Sequence, residues 1–452
     1  MTTTSTSSEA TSAGAPVIAS VAGPFPVLQV ALDFLELDRS LAVAREAVAG
    51  GADWLEAGTP LIKSEGLEAV RRLRAAFPQH VIVADLKIMD AGRVEVEAAA
   101  KAGADVVVCL AAASDSTIRQ CVEAAGRYGA RVVCDLLGVA DQVARSREVE
   151  KLGVDFIGVH LPVDEQMQGQ QIVAGLRAVT AAVRMPVAVA GGINSANAAA
   201  MVENGASIII VGGAIHKAAN VAQAVAAIRQ ALRERRAIAT DLYMRGRSEA
   251  EVGEILRRIS TANLSDALHR QPGLRGIVSR TVGRKCVGQA VTVRVAPGDW
   301  SKVVQAIDRA AAGAVIVVDA GGSPPAVWGE LATRSALKKG IAGVVIDGAV
   351  RDTDVAATLG LPIFSRHVCP DAGEPKGFGE INALIYVGGQ AVRPGDWIVA
   401  DDDGVMILPR AQAVEYANRA LDVLETENRL RAEIEAGSTL GRVANLLRWE
   451  KR

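Results

Sequence analysis

Ionisable side chains recur at the ends of short apolar segments in the first half of the 452-residue sequence. They are Asp33 in VALD, Glu56 in WLEAGTP, Asp85, Lys87 and Asp90 in VADLKIMDAG, and His160 in IGVH. Carboxylate oxygens suit a hard divalent cation, and a histidine side chain can move protons near neutral pH. Because a buried charge costs several kcal/mol unless it is paired or bound to a metal, these residues predict a catalytic site if the fold brings them together.

Two glycine pairs predict a second kind of chemistry. Gly191 and Gly192 follow the apolar text AVA, and Gly212 and Gly213 follow IIIV. Glycine at the end of a strand exposes the backbone N–H groups that begin the next helix, and such groups bind anions. The two pairs therefore predict a phosphate cradle, although a glycine also suits any tight turn between a strand and a helix.

A repeating unit between residues 27 and 230 would position these groups. Each unit reads as an apolar strand, a polar turn, an amphipathic helix and a glycine joint such as KAGADVVV or ENGASIII,. Eight units predict an α/β fold, a (β/α)₈ TIM barrel, with a doubly wound open sheet as the alternative. In a barrel the carboxyl ends of all strands meet at one mouth. Asp85 and Lys87 are two residues apart, so we expect both to face inward.

The chain divides into four regions by composition. Residues 1–24 are rich in Ser, Thr and Ala and are predicted to be a disordered tail,. The barrel is expected over 25–232, a charged linker over 233–250 and a second domain over 251–440. Strand-like text in the second domain follows an irregular order, with helical text at 250–270 and 409–437. A second barrel is therefore not expected.

Composition narrows the classes of partner. The net charge of −2 and the absence of a basic stripe argue against nucleic acid,. No apolar run approaches the ~18 residues of a membrane span, and the first basic residue is Arg39, so no secretory signal is expected,. The five cysteines form no CxxC pair and are predicted to be buried thiols in a reducing compartment,. We expect a cytoplasmic protein.

Seven motifs in the first half carry a family resemblance. VALD, EAGTPLI, DLKIMDAG, CDLLGV, the VH before PVD, VAGGI and VGGAI occur in that order over nearly all of residues 27–230. Together they resemble the 3-hexulose-6-phosphate synthases of the orotidine-monophosphate decarboxylase suprafamily. Leu161–Pro162 stands where synthases often have Thr-Gly after the histidine. A barrel like that of 3-keto-L-gulonate-6-phosphate decarboxylase is the alternative.

The resemblance implies an aldol condensation of formaldehyde with D-ribulose 5-phosphate, or its reverse, dependent on Mg²⁺ or another divalent cation such as Mn²⁺. It implies a metal held by Glu56 and Asp85, and an acid–base role for His160. Lys87 would stabilise the enediolate, while Asp33 and Asp90 would orient it and the sugar hydroxyls. The substrate's phosphate would bind Gly191, Gly192, Gly212 and Gly213.

The second half carries a different resemblance, through GGSPPAVWGELAT, KKGIAGVVIDGAVRDTD and GDWIVADDDGVMILP. These stretches are similar to the regulator of ribonuclease activity A, whose swivelling β/β/α-like fold is shared with 4-hydroxy-4-methyl-2-oxoglutarate aldolases. The resemblance implies a metal on Asp352, a 2-oxo acid carboxylate on Arg351, and enolate stabilisation by N–H groups of Gly329, Glu330 and Leu331. A non-catalytic regulatory or assembly module is the alternative, with Arg351 and Asp352 merely fixing a loop.

The two resemblances together predict a fused protein whose halves fold independently. Barrels of this type usually form dimers and the second fold forms trimers, so a closed homo-oligomer is expected. We also expect a chain that ends near Arg236 to retain a folded barrel, because the linker text is polar,.

Overall fold

Residues 26–443 are described by the computed structural model, and the tail predicted over 1–24 lies outside them. The described residues divide into two units. The first comprises 26–166 and 171–244, and the second comprises 167–170 and 245–443. Each unit has its own hydrophobic core.

The first unit contains eight parallel strands that close into a barrel in sequence order, with β1 paired to both β2 and β8. The strands are β1 Val27–Leu32, β2 Trp54–Ala57, β3 Val81–Ile88, β4 Val106–Leu110, β5 Arg131–Asp135, β6 Phe156–His160, β7 Val187–Ala190 and β8 Ile208–Val211. The predicted TIM barrel is therefore confirmed, and the open sheet is excluded.

Helices follow the strands, and three of the described barrel helices begin with a side-chain cap. Ser114 accepts a hydrogen bond from the Thr117 N–H at the start of one helix, and Gly129 takes a left-handed conformation at its end,. The helices are α1 Leu37–Ala49, α2 Thr59–Glu65, α3 Glu68–Ala76, α4 Gly92–Lys101, α5 Asp115–Tyr128, α6 Gln142–Lys151, α7 Val163–Met167, α8 Val173–Thr180, α9 Ala198–Glu203, α10 Gly213–His216 and α11 Val221–Glu234.

The barrel interior is apolar below its mouth. One buried cluster contains Trp54, Val83, Val133 and Phe156, and the Trp54 and Phe156 rings meet edge to face with their centroids 5.9 Å apart. Successive side chains of a strand point to opposite faces. The residue two or four positions after each of these apolar residues therefore faces the same interior, nearer the carboxyl end of its strand.

The second unit is built on a mixed sheet with the order β19-β18-β10-β11-β13-β14-β9, while β12 pairs with β13, β15 pairs with β10, and β16 pairs with β17. Its strands are β9 Val278–Ser279, β10 Cys286–Arg294, β11 Val315–Asp319, β12 Ala326–Trp328, β13 Gly343–Val350, β14 Ile363–Val368, β15 Glu380–Ile381, β16 Ile385–Val387, β17 Gln390–Val392, β18 Trp397–Asp401 and β19 Gly404–Leu408. This mixed order agrees with the expectation that the second domain is not a barrel of the first kind.

Helices of the second unit begin within the predicted linker. They are α12 Glu249–Arg258, α13 Thr261–Ala267, α14 Ser301–Arg309, α15 Glu330–Lys338, α16 Thr353–Leu359, α17 Ala413–Glu435 and α18 Leu440–Val443, with a 3₁₀ turn at Arg410–Gln412. The helical text of 250–270 forms two helices rather than one, because Ser260 starts α13 with its own capping box,. Among residues 26–443, no helix is long and apolar enough to cross a membrane.

The segment predicted as a linker, 233–250, is divided between the units. Helix α11 continues to Glu234, and residues up to Met244 belong to the first unit. Ser195 and Ile238 exchange two hydrogen bonds of 3.0 Å, and the buried ring of Tyr243 joins the barrel's hydrophobic core. The barrel therefore includes residues beyond Arg236, which the polar text of the linker did not indicate.

We expect a shortened chain that ends after Met244 to be more stable than one that ends after Arg236. The shorter chain loses the buried Tyr243 ring and the partners of Asn194 and Ser195, which together should contribute roughly 2–4 kcal/mol. Urea unfolding of both shortened chains measures this difference. Equal midpoints would show that the segment adds nothing to the barrel.

Candidate functional site

Four polar side chains continue the inward-facing rows of the barrel at its mouth. Glu56 lies two residues after Trp54, Asp85 two after Val83, Asp135 two after Val133, and His160 four after Phe156,. Glu56, Asp85 and Asp135 are buried, and His160 is half-buried. The strand period thus places Glu56, Asp85 and His160, which the sequence predicted, and also Asp135 above the apolar interior, as expected for a barrel active site.

Lys87 connects carboxylates near the ends of β3 and β5. Its Nζ lies 2.8 Å from Asp85 Oδ2 and 3.5 Å from Asp135 Oδ2. Asp85 Oδ2 also accepts a hydrogen bond of 2.7 Å from the Thr59 hydroxyl. Burial lowers the pKa of Lys87, but the two carboxylates more than offset this effect and hold the pKa above its ordinary value,. Lys87 is therefore a fixed positive charge at the mouth.

The backbone of Lys87 departs from regular strand geometry. Its φ is 46°, and the register between β3 and β4 shifts between Ala84 and Ile88. A long side chain rarely takes a positive φ, and residues held in this way cluster at functional sites. The bulge means that simple alternation did not by itself place the Lys87 ammonium, although the expected proximity to Asp85 is present.

Asp135 is a site residue that the sequence analysis did not identify. Its Oδ2 lies 3.1 Å from His160 Nδ1, and the contact with this imidazole helps to hold the pKa of Asp135 low despite its burial,. A carboxylate acceptor keeps the proton on Nδ1 and leaves Nε2 for proton transfer. The indication was available in the sequence, because Asp135 ends its strand in CDLLGV as Asp33 follows β1 in VALD.

Asp33 and Glu56 are carboxyl groups whose negative charge, when they ionise, is poorly compensated. Gln29 Nε2 donates to Glu56 Oε2, but burial and the neighbouring Asp85 charge hold the pKa of Glu56 well above its ordinary value. Asp33 is exposed at the mouth, yet the protein packed around its carboxylate and the Asp85 charge raise its pKa to about 6. Gly58 lets the Asp33 carboxylate pack against the backbone before α2, since a Cβ atom on Gly58 would overlap Asp33 Oδ1.

This excess of negative charge fits a divalent cation. Hard cations take carboxylate oxygens, and one or two carboxylates with water and substrate oxygens commonly hold Mg²⁺. Glu56 and Asp85 could supply that pair. Within residues 26–443, no three His, Cys, Asp or Glu side chains are grouped as a complete metal site. The metal assignment therefore stays a prediction that rests on two protein ligands.

Two further expectations concern the edges of this site. Asp90 is exposed, and its Oδ1 accepts a hydrogen bond of 2.7 Å from the adjacent Ala91 N–H rather than contacting the Lys87 network. Its predicted role stays untested. The Leu161–Pro162 departure leaves His160 on its strand, because the Leu161 N–H donates to the Ala190 carbonyl at 3.0 Å.

The glycine pairs lie where the sequence analysis placed them. Gly191 and Gly192 follow β7, and Gly212 and Gly213 follow β8, the neighbouring strand. A Cβ atom on Gly212 would lie 3.0 Å from Asp33 Oδ2, so this pair borders the carboxylate cluster. The two glycine pairs and the carboxyl groups of Asp33, Glu56 and Asp85 therefore share one mouth.

The second unit has its own candidate site around a cavity of about 190 Å³. Trp300, Trp328, Glu330, Arg351 and Asp352 are among the residues that line it. Arg351 is held by its N–H, which donates to the Trp328 carbonyl at 3.0 Å, and its Nε lies 3.7 Å from Asp352 Oδ2. Gly329 is required by packing, since a Cβ atom there would lie 2.6 Å from Asp352 Oδ2.

One predicted donor of the second site is already engaged. The Glu330 N–H, expected to stabilise an enolate, donates to Asp352 Oδ2 at 3.0 Å. Leu331 is 82% exposed at the cavity rim. The five predicted residues, Gly329, Glu330, Leu331, Arg351 and Asp352, all line one cavity. The Glu330 N–H, however, binds the Asp352 carboxylate instead of being left for an enolate oxygen.

Comparison with known proteins gives separate relatives for the two halves. A 3-hexulose-6-phosphate synthase of Methylomonas aminofaciens is 45% identical over 201 residues, which is 44% of this chain and 96% of that protein. The Mycobacterium gastri protein of the same name is 42% identical over 205 residues, 45% of this chain and 99% of that protein. A crystal structure of 3-hexulose-6-phosphate synthase is 41% identical, with a TM-score of 0.44, and covers 46% of this chain and 99% of that one.

The first unit is a (β/α)₈-barrel lyase with its polar groups at the carboxyl ends of the strands. Residues 26–228 match the family model described as Orotidine 5′-phosphate decarboxylase / HUMPS family, and the chain belongs to this family. Residues 261–407 match the model described as RraA-like: Aldolase/RraA, so an RraA-like domain is fused to the barrel. Both resemblances found in the sequence are confirmed.

We expect Glu56→Gln to stabilise the protein at pH 8 in the presence of a chelator. Because the folded-state pKa is raised, the folded chain retains a proton that the unfolded chain releases, and stability falls as pH rises above 4.5,. The glutamine still offers an oxygen to the Gln29 amide, but it has no carboxyl group to ionise. It therefore removes the loss of stability at high pH, which is about 1.4 kcal/mol for each pH unit between the unfolded and folded pKa values. The advantage should shrink toward pH 4.5.

Urea unfolding at several pH values between 4.5 and 8 measures this linkage. Glu123→Gln is the matched control, because Glu123 is exposed on α5. A difference between Glu56→Gln and the unchanged protein that is constant with pH would show that Glu56 is not held protonated by its surroundings.

Proposed function

We propose that the barrel catalyses the aldol condensation of formaldehyde with D-ribulose 5-phosphate to 3-hexulose 6-phosphate, or the reverse. The observation that supports this proposal is the connected set Asp85, Lys87, Asp135 and His160 at the mouth. It offers a proton carrier beside a fixed positive charge, which is what enediolate chemistry requires. The synthases named above are similar over almost their whole length.

Glu56 and Asp85 would hold the divalent cation, here proposed to be Mg²⁺. When bound, the ion would polarise the ketose carbonyl and stabilise negative charge on its oxygen. The raised pKa of Glu56 supports this assignment, because a cation would relieve the same crowding of carboxylates,. Asp33 would then accept from sugar hydroxyls at the edge of the cluster.

His160 would perform the proton transfers. With Nδ1 held by Asp135, its Nε2 would take a proton from C1 of ribulose 5-phosphate and give the enediolate,. The Lys87 ammonium would stabilise the enediolate oxygen. Carbon C1 would then attack formaldehyde, forming the new C–C bond, and His160 would return the proton to the resulting alkoxide. No proton is lost or gained over the cycle.

We expect Asp85→Asn to lower kcat/KM for the condensation by about 10³-fold, or roughly 4 kcal/mol. The substitution removes a metal ligand and one partner of Lys87. It should also abolish the rise in Tm that Mg²⁺ gives the unchanged protein. Near-normal turnover at limiting Mg²⁺ would exclude Asp85 as a ligand.

The same assay separates the proposal from its alternative. The unchanged protein is given ribulose 5-phosphate with formaldehyde in one reaction, and 3-keto-L-gulonate 6-phosphate in another. The exposed Glu123→Gln variant serves as the control for a lost carboxylate. Release of CO₂ from the second substrate, without consumption of formaldehyde in the first, would favour a decarboxylase.

For the second unit we propose cleavage of a 2-oxo acid by a retro-aldol reaction. The observation that supports this proposal is the small cavity that holds Arg351 beside Asp352. A guanidinium binds a carboxylate through two parallel hydrogen bonds, and Asp352 could hold a divalent cation that stabilises pyruvate enolate. The bond from the Glu330 N–H fixes the Asp352 carboxylate at the cavity.

We expect Arg351→Lys to raise KM for a 4-carboxy-type 2-oxo acid by about tenfold, because lysine keeps the charge but loses the paired hydrogen bonds. Pyruvate release measures the activity. Arg309→Gln, an exposed position at the end of α14, is the control. If the unchanged protein releases no pyruvate, the domain is a binding or assembly module instead.

A further inference from the structure

The segment that follows the last barrel helix lies on the proposed phosphate cradle. The ring of Tyr243 packs directly on Gly213, where a Cβ atom would overlap the ring carbons Cε2, Cδ2 and Cζ. The Tyr243 hydroxyl donates to Gln166 Oε1 at 3.2 Å. Gln166 in turn occupies the space beside Gly191, since a Cβ atom on that glycine would lie 3.0 Å from Gln166 Nε2. Tyr243 therefore borders one glycine pair and Gln166 borders the other, and a hydrogen bond joins the two side chains.

Tyr243 is held in this position by the loop after β7. Its φ is 55°, a conformation that bulky residues rarely adopt and that persists only where the surroundings enforce it,. Asn194 Nδ2 donates to the carbonyls of Leu242 at 3.1 Å and of Tyr243 at 3.3 Å. Asn194 is itself buried. The barrel therefore fixes the tyrosine at the cradle at a cost in backbone strain.

Lys217 brings a positive charge to the same place. It lies four residues after Gly213, on the same face of the helical turn, and its Nζ stands 5.6 Å from the centre of the Tyr243 ring,. Its charge also acts on Asp33, whose pKa it lowers against the larger effect of burial. The half-buried lysine is thus close enough to act on both the Tyr243 ring and the Asp33 carboxylate.

A phosphate entering this mouth needs such a charge. Asp33, Asp85 and Asp135 place carboxyl groups at the mouth, and Lys87 is engaged by Asp85 and Asp135. Backbone N–H groups carry only partial charge, whereas an ammonium forms a charge-assisted hydrogen bond with a phosphate oxygen. We propose that Lys217 binds the phosphate of the barrel's substrate and that Tyr243, from the segment joining the two units, is the positioning residue for Lys217.

This inference rests on the proposed function for the identity of the substrate, but it is tested independently of catalysis. The full chain is titrated with inorganic phosphate by calorimetry, and its steady-state kinetics are measured with ribulose 5-phosphate. Lys217→Met should weaken phosphate binding and raise KM by about tenfold or more, with kcat changed little. Lys217→Arg should restore most of both. Lys151→Met, at an exposed lysine on α6, should change neither.

A double-substitution cycle tests the role of Tyr243. Tyr243→Ala should raise KM and the dissociation constant for phosphate, while Tyr243→Phe, which keeps the ring, should have a smaller effect. If Tyr243 acts through Lys217, the effects of Tyr243→Ala and Lys217→Met on phosphate binding will be less than additive. A purely structural role would lower Tm and give additive effects, and that result would overturn the positioning role.

Other outcomes are equally decisive. Phosphate affinity that is unchanged in Lys217→Met overturns the proposal even if the protein is an active synthase. Tighter phosphate binding in Tyr243→Ala would show that the segment obstructs the cradle, which also overturns it. If phosphate binds in a Lys217-dependent way but no condensation occurs, the inference stands and the proposed reaction fails.

Discussion

Negative charge concentrated above an apolar plug is the constraint on which the barrel site depends. A closed parallel barrel directs every second side chain inward, so the rows that contain Trp54, Val83 and Phe156 continue into polar groups at the mouth,. Burial and mutual repulsion raise the pKa values of Asp33 and Glu56. The arrangement is costly without a counter-charge, and that cost makes a cation the expected partner.

Lys87 partly neutralises the carboxylates on the side of the mouth that holds His160. It joins Asp85 to Asp135, and Asp135 in turn fixes the tautomer of His160. At the bulge in β3 the backbone of Lys87 has a positive φ, and this strained conformation accompanies the contacts of Lys87 with both carboxylates,. One lysine therefore links the carboxylate proposed to hold a metal, Asp85, to the Asp135–His160 pair proposed for proton transfer.

The candidate site of the second unit has fewer charged groups. Arg351 and Asp352 lie between the buried strand β13 and helix α16, beside a small cavity. Asp352 takes a left-handed conformation at the start of α16 and accepts a hydrogen bond from the Glu330 N–H. The N-termini of α15 and α16 therefore meet at the Asp352 carboxylate. The fused protein thus has two separate proposed anion sites, the glycine pairs with Lys217 in the barrel and the Arg351 guanidinium in the RraA-like domain.

The sequence by itself determined the barrel, the domain order and most of the polar residues at the mouth. These follow from periodicity and short motifs, because strand alternation and glycine joints are local properties of the chain. Only the tertiary structure placed Asp135 on His160, shifted the register at Lys87 and brought Tyr243 onto Gly213. Such contacts join residues distant in sequence or depend on strained backbone, and polar text such as ATDLYMRG gives no local indication of the buried partner that it finds,.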